Sequence, residues 1–262
     1  RKMKMIDIVR AKKAFKEYVK KYNPDDSKVK LKIAHIERTA EVAKKLATEL
    51  MLEKEDIELA ELIGLLHDIG RFEQIRIYHT FVDKISVDHG KLGAKILFED
   101  GLIRNFIEDK KYDTIIKKAI INHNKSKIED GLDEKTNLHC KIIRDSDKLD
   151  IFYILTFENK KDVWESDDLS NDVISDEIYR EFIEDKNINY KEGKSSADIL
   201  VSHFAYVYDF NFKYSLKMLR QSDNVNKLYK RFLFNNKKTM ERYNNIYNIA
   251  IKYLENSLEE NN

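Results

Sequence analysis

Leu65-Leu66-His67-Asp68-Ile69-Gly70-Arg71 sets an imidazole and a carboxylate side by side at the end of an apolar run. Upstream, Ile57, Ala60, Leu62, Ile63, Leu65 and Leu66 leave hardly any polar side, so a helix over about 54–68 is expected in the core. Gly70, just past its end, is expected to be the C-cap. Burying a carboxylate without a partner costs several kcal/mol, and a dication nearby removes that cost. The alternative is that His67 caps the helix and Asp68 turns into solvent. The pair taken alone does not choose between them.

Working outward, Leu31, His35, Thr39, Val42, Leu46 and Leu50 recur at spacings of three and four, which predicts a helix from Ser27 to about Leu52. Asp25, Asp26 and Ser27 offer its N-cap and acidic first turn. An earlier helix over 3–22 stops before Pro24, the one proline of the chain. Beyond Gly70, residues 71–87 read as irregular, with Ser86 or Asp88 capping a helix over 88–98. Further helices are expected at 111–123 and 135–157. The polar, acidic stretch 158–175 reads as a long loop, followed by helices over 175–185, 196–220, 223–234 and 237–257. Phe204, Tyr206, Tyr208, Phe210, Phe212 and Tyr214 alternate, which also admits an extended segment there; helix packing explains them more simply than a base-stacking platform. Seven Gly and one Pro stand where average usage would give roughly 31 in a chain of this size. The expected class is all-α. Residues 1–157 would form a helical core and 158–262 a C-terminal helical extension packed on it as one compact unit.

The composition sets limits. Lys+Arg (48) and Asp+Glu (47) nearly cancel, which argues against a nucleic-acid or membrane partner held by net charge. No apolar run approaches the roughly 18–20 residues of a membrane span, and nothing resembles a signal peptide. Cys140 is the single cysteine, so no internal disulfide can form and a reducing cytoplasm is expected. Opening on Arg1 rather than Met, the chain is expected to lack at least one residue at that end. A homodimer is the simplest assembly to expect.

Six residues concentrate the chemistry: His35, His67, Asp68, His89, His123 and Asp147. Imidazole and carboxylate without thiolate is a ligand set for divalent metals with positions left open to water and substrate, so metal-assisted hydrolysis leads. Each residue has a plainer reading. His35 could be a core histidine on its stripe, with Arg38 sharing its face. Asp147 projects from the apolar side of its helix, whereas Asp145 and Asp150 read as the solvated members of an acidic run. His89 and His123 could be helix-end residues favoured by the dipole. His79 reads as exposed loop, His139 as core and His203 as structural. Cys140 has no cation beside it to make it a nucleophile.

In order, these residues spell His…His-Asp…Asp, and the chain resembles the HD superfamily of metal-dependent phosphohydrolases. The likeness is carried by His35-Ile36-Glu37-Arg38-Thr39-Ala40, by the 65–71 stretch, and by Arg144-Asp145-Ser146-Asp147-Lys148-Leu149-Asp150. It covers about residues 30–155. It implies an HD-domain helical bundle in which His35, His67, Asp68 and Asp147 hold a first metal. Asp88-His89-Gly90 and Ile121-Asn122-His123-Asn124 stand where two-iron members that cleave dinucleoside tetraphosphates place further histidines, which implies a second. The cofactor would be one or two divalent ions (Fe, Mn, Ni, Zn or Mg), their identity not encoded.

The expected function is hydrolysis of a phosphoester or phosphoanhydride in a small phosphorylated metabolite or nucleotide by a metal-activated water. Asp68 would bridge the ions, while Arg38, Arg71 and Lys148 would neutralise phosphoryl charge. For those three cations, surface salt bridges are the alternative. Two other functions remain open: a regulatory module that binds metal and ligand without turnover, and oxygen chemistry at a di-iron site. No motif in 158–262 names a substrate.

Overall fold

The computed structural model describes residues 6–184 and 195–259, and every regular element among them is helical. They divide into two compact units, Arg1–Asp150 and Ile151–Asn262. No helix among the described residues is long and apolar enough to cross a membrane.

In the first unit, α1 (Ile8–Val19) starts at Asp7, whose side chain accepts from Arg10 N, and buries Ala11, Phe15 and Tyr18. Residues 3–5 of the predicted first helix lie outside the described residues. Asp26 caps α2 (Ser27–Glu49) in the same way, accepting from Lys28 N. α3 (Lys54–Leu66) is buried from Leu59 onward on every side. It lies so close to α2 that a Cβ on Gly64 would stand 2.7 Å from Ala40 Cα. That contact brings the end of α3 up to the middle of α2. Glu61, buried within α3, is paired with Lys12 at 2.7 Å and Lys44 at 3.4 Å.

The structure corrects the expectation of an irregular 71–87. α4 (Gly70–Tyr78) begins with only three residues between it and the end of α3, and stops at His79, which takes a left-handed φ of 56°. Gly70 is therefore not a C-cap but the first residue of a new helix. Its missing side chain matters for space, since a Cβ there would lie 2.4 Å from His89 O and 2.7 Å from Gly93 N. α5 (His89–Ala94), capped by Asp88, runs into a wider π turn over Lys95–Glu99. α6 (Ile103–Phe106), α7 (Asp113–His123) and α8 (Glu134–Phe157) follow. Phe15, Ile36, Leu62, Leu66, Phe72, Phe106, Ile120 and Ile143 belong to one continuous core.

The division between the units falls inside α8. In the second unit the predicted loop 158–175 contains a short α9 (Lys160–Trp164), and α10 spans Asp176–Glu184; the last residue predicted for α10, 185, lies outside the described residues. The helix predicted over 196–220 is broken in two, α11 (Ser196–Phe204) and α12 (Lys213–Ser222), by a 3₁₀ turn over Ala205–Tyr208 and a non-helical link. α13 (Asn224–Lys230) and α14 (Lys237–Glu259) complete it. Its interior is aromatic: Tyr243 is fully buried, with ring centroids 5.8 Å from Phe204 and 5.1 Å from Phe234.

Candidate metal centre

Five helices of the first unit each deliver donors to one place. His35 comes from the middle of α2, His67 and Asp68 from the end of α3, His89 from the start of α5, His123 from the end of α7 and Asp147 from the middle of α8. All four imidazoles are buried, and among the six side chains Asp147, at 16%, is the most exposed. The solvent-facing edge of the cluster is therefore at Asp147.

Each histidine has its Nδ1 committed to an acceptor. His67 Nδ1 donates to Gly64 O at 2.7 Å and His123 Nδ1 to Ile120 O at 2.6 Å, carbonyls that the last turn of a helix leaves without a backbone partner. His35 Nδ1 donates to Asp150 Oδ2 at 2.7 Å and His89 Nδ1 to Asp83 Oδ2 at 2.6 Å. Those acceptors assign the ring proton to Nδ1. In the neutral rings every Nε2 is then a lone pair, and the four lone pairs converge.

They converge on two points that share Asp68. Around the first, His35 Nε2 lies 3.3 Å from His67 Nε2, 3.1 Å from Asp147 Oδ1 and 3.4 Å from Asp68 Oδ2. His67 Nε2 is 3.5 Å from Asp147 Oδ1 and 3.6 Å from Asp68 Oδ2. Around the second, Asp68 Oδ1 lies 3.3 Å from His89 Nε2 and 3.4 Å from His123 Nε2, which are 3.0 Å apart. Donors held about 2.1 Å from one ion stand roughly 3.0–3.4 Å from each other, so both spacings fit a divalent cation. Asp68 Oδ1 is buried and accepts no hydrogen bond among the described residues. A buried carboxylate oxygen that faces two lone pairs and has Arg71 Nε no nearer than 3.7 Å is an arrangement that a bound cation would satisfy.

The electrostatics tell the same story. Burial alone would push the Asp68 carboxyl up, but the Lys32 ammonium and the surrounding imidazoles hold it well below the usual range. Asp147 is likewise held low against burial by His35 and His67. Burial and Lys32 pull the His35 imidazole down, yet hydrogen bonds to Asp147, Asp150 and Asp68 outweigh them and raise it to about 10. The extra proton sits on Nε2, where Asp147 and Asp68 concentrate negative charge, and a dication bound there would take its place. His89 goes the other way, brought down to about 4 by burial and then by Arg71.

Three aspartates outside the cluster were missed or misread in the sequence. Asp150 is buried, not solvated: besides His35 it accepts from Arg38 Nε at 2.7 Å and from Arg38 Nη2 at 3.1 Å. Asp145, expected to be solvated, is fully buried too. Both follow from the burial of α8, which leaves it no wet face along Arg144–Ser146 and Lys148–Asp150. Asp83 does for His89 what Asp150 does for His35, and it also pairs with Arg71 at 3.0 Å. Each outer aspartate thus ties one imidazole to one arginine. Asp150 was visible as the residue one turn after Asp147, whereas Asp83 lies in a stretch without periodicity.

Arg71 Nε lies 3.7 Å from Asp68 Oδ1, an oxygen of the shared carboxylate. Arg38 is held by Asp150 with 28% of its side chain exposed. For Lys148 the structure adds that it is buried. Lys32, not singled out in the sequence, donates to Asp68 Oδ2 at 2.7 Å. His139 pairs with Asp56 at 2.9 Å, His79 is exposed at the end of α4, and His203 packs against Trp164. Burial pushes the Cys140 thiol up to about 12, which leaves it inert. Arg144 holds the chain that follows His123 by donating to Asn122 O, Lys125 O and Ser126 O.

No curated protein and no solved structure is significantly similar to the chain. Residues 33–151 match the family model of the HD domain, a span that holds all six converging donors. This part of the chain belongs to the HD-domain superfamily of metal-dependent phosphohydrolases.

Proposed function

We propose that the first unit is a metal-dependent phosphohydrolase acting on a small phosphorylated metabolite or nucleotide, with His35, His67, Asp68 and Asp147 holding one divalent ion and Asp68, His89 and His123 a second. The observation that carries this reading is the sharing of Asp68: its two oxygens face separate sets of imidazole lone pairs at metal-ligand spacing. Bound there, divalent cations supply Lewis acidity towards phosphoryl oxygens and make a water nucleophilic at neutral pH.

The chain's own residues do the rest. Gly64 O, Ile120 O, Asp150 and Asp83 fix the Nδ1 protons away from the centre, so no imidazole has to change tautomer when a cation arrives. Arg38 and Arg71, oriented by Asp150 and Asp83, bind phosphoryl oxygens as charge moves onto them. Asp147 marks the side from which substrate enters. A single cysteine that is buried and reduced suits a cytoplasmic location.

Release of phosphate from a panel of nucleotides and phosphomonoesters by the metal-loaded protein tests the reading. Turnover of at least one class is expected, falling at least about a thousandfold in His67→Ala or Asp68→Ala. Metal binding without turnover of any phosphoester would instead make the domain a ligand-sensing module.

A further inference from the structure

Lys32 lies one turn before His35 on α2 and therefore shares its face. Its side chain is buried, and its ammonium sits 2.7 Å from Asp68 Oδ2. That same oxygen is 3.4 Å from His35 Nε2 and 3.6 Å from His67 Nε2. The ammonium and a cation held by His35, His67 and Asp147 thus draw on one carboxylate oxygen. A lysine ammonium is a compact charge on a flexible four-carbon stem, so it can leave. A second hold is already in place: Nζ lies 5.1 Å from the centroid of the Phe81 ring, an aromatic face that attracts cations and that Lys28 and Arg71 also approach.

We propose that Lys32 is the resident counter-cation of the first metal position. It neutralises Asp68 in the metal-free protein, competes with the dication for Asp68 Oδ2, and withdraws towards Phe81 as the dication binds. The competition rests on the metal reading above and gives that reading a sign. A lysine that merely oriented Asp68 as a ligand would strengthen metal binding; a competing cation weakens it. Like charges drawing on one buried oxygen repel strongly, so the competing role is the one the geometry carries.

Calorimetric titration of metal-stripped protein with Mn²⁺ separates the two roles. Lys32→Gln keeps an N–H donor for Asp68 without the charge, Lys32→Met removes both, and Lys32→Arg keeps the charge. The glutamine and methionine variants should bind Mn²⁺ at least about tenfold more tightly than the natural chain, with the arginine variant close to it. The same two variants should melt lower when metal-free, because Asp68 is left with an uncompensated charge, and should gain more in Tm at saturating Mn²⁺. Unchanged or weaker binding in Lys32→Gln, with Mn²⁺ binding intact in the natural chain, overturns the proposal alone. Failure of the natural chain to bind Mn²⁺, Fe²⁺ or Zn²⁺ at all overturns the metal reading and this inference with it.

Discussion

The two units bury different things. In Arg1–Asp150 the interior holds four clustered imidazoles, the carboxylates of Asp68, Asp145 and Asp150, and the cations Lys32, Arg144 and Lys148. In Ile151–Asn262 Asp198 is the one buried ionisable acid among the described residues, and Phe182, Phe204, Phe232, Phe234 and Tyr243 fill the core. Histidine shows the contrast most sharply. His35 and His89 are gripped by aspartates, whereas His203 lies against aromatic rings, 5.9 Å from Trp164 and 5.2 Å from Tyr206. Burying so much charge is destabilising unless the charges are mutually satisfied. The first unit therefore carries a polar interior whose charges must satisfy one another, and the second does not.

Asp68→Asn strikes the contrast hardest. It keeps the shape of the residue but removes the charge that both cation positions share, so at least about a thousandfold loss of phosphohydrolase activity is expected, with metal content falling alongside. Elemental analysis and initial rates on the same sample check it. Tyr243→Ala in the second unit should cost about 3–5 kcal/mol of stability while leaving the affinity of the first unit for Mn²⁺ unchanged. A denaturant titration read beside a metal titration decides that.

Asp150→Asn and Asp83→Asn come next. Each loosens one imidazole and one arginine together, and a loss of about 10–100-fold in metal affinity is expected, in Asp150→Asn at the His35 position and in Asp83→Asn at the His89 position. Gly70→Ala should destabilise the first unit by about 1–3 kcal/mol, because the added methyl meets backbone at His89 and Gly93. Its effect is read from the denaturation midpoint.

The smallest effect concerns pH. Burial lowers the His203 pKa to about 4 from an ordinary 6.5. Between those values the unfolded chain binds a proton that the folded one refuses, so stability falls as pH drops from about 6.5 to about 4 and levels off below. His203→Phe should flatten that part of the profile of the second unit, as followed by thermal melts across the range.

Much of this was legible in the sequence. His35, His67, Asp68 and Asp147 announce themselves because polar donors on apolar stripes or at the end of a buried helix need a reason to be there. The competing readings of His67 and His123 turned out to be compatible: one ring nitrogen caps the helix while the other faces the centre. Charged runs hid the rest. Asp150 and Lys32 sit among other ionisable residues in the chain, and nothing local tells a buried member of such a run from a wet one. α4 escaped notice because its apolar residues do not segregate: Phe72 and Ile75 are buried beside a buried Gln74, while Ile77 and Tyr78 face outward. The alternating aromatics over 204–214 admit a departure from helix, and the chain makes one between Phe204 and Lys213.

Metal stoichiometry is the most direct test of the convergence of four Nε2 lone pairs on two points beside Asp68. Titration of stripped protein with Mn²⁺ should reach two equivalents per chain, and the double variant His89→Ala, His123→Ala should keep one. A natural chain that binds none, or a double variant that still takes two, would contradict it.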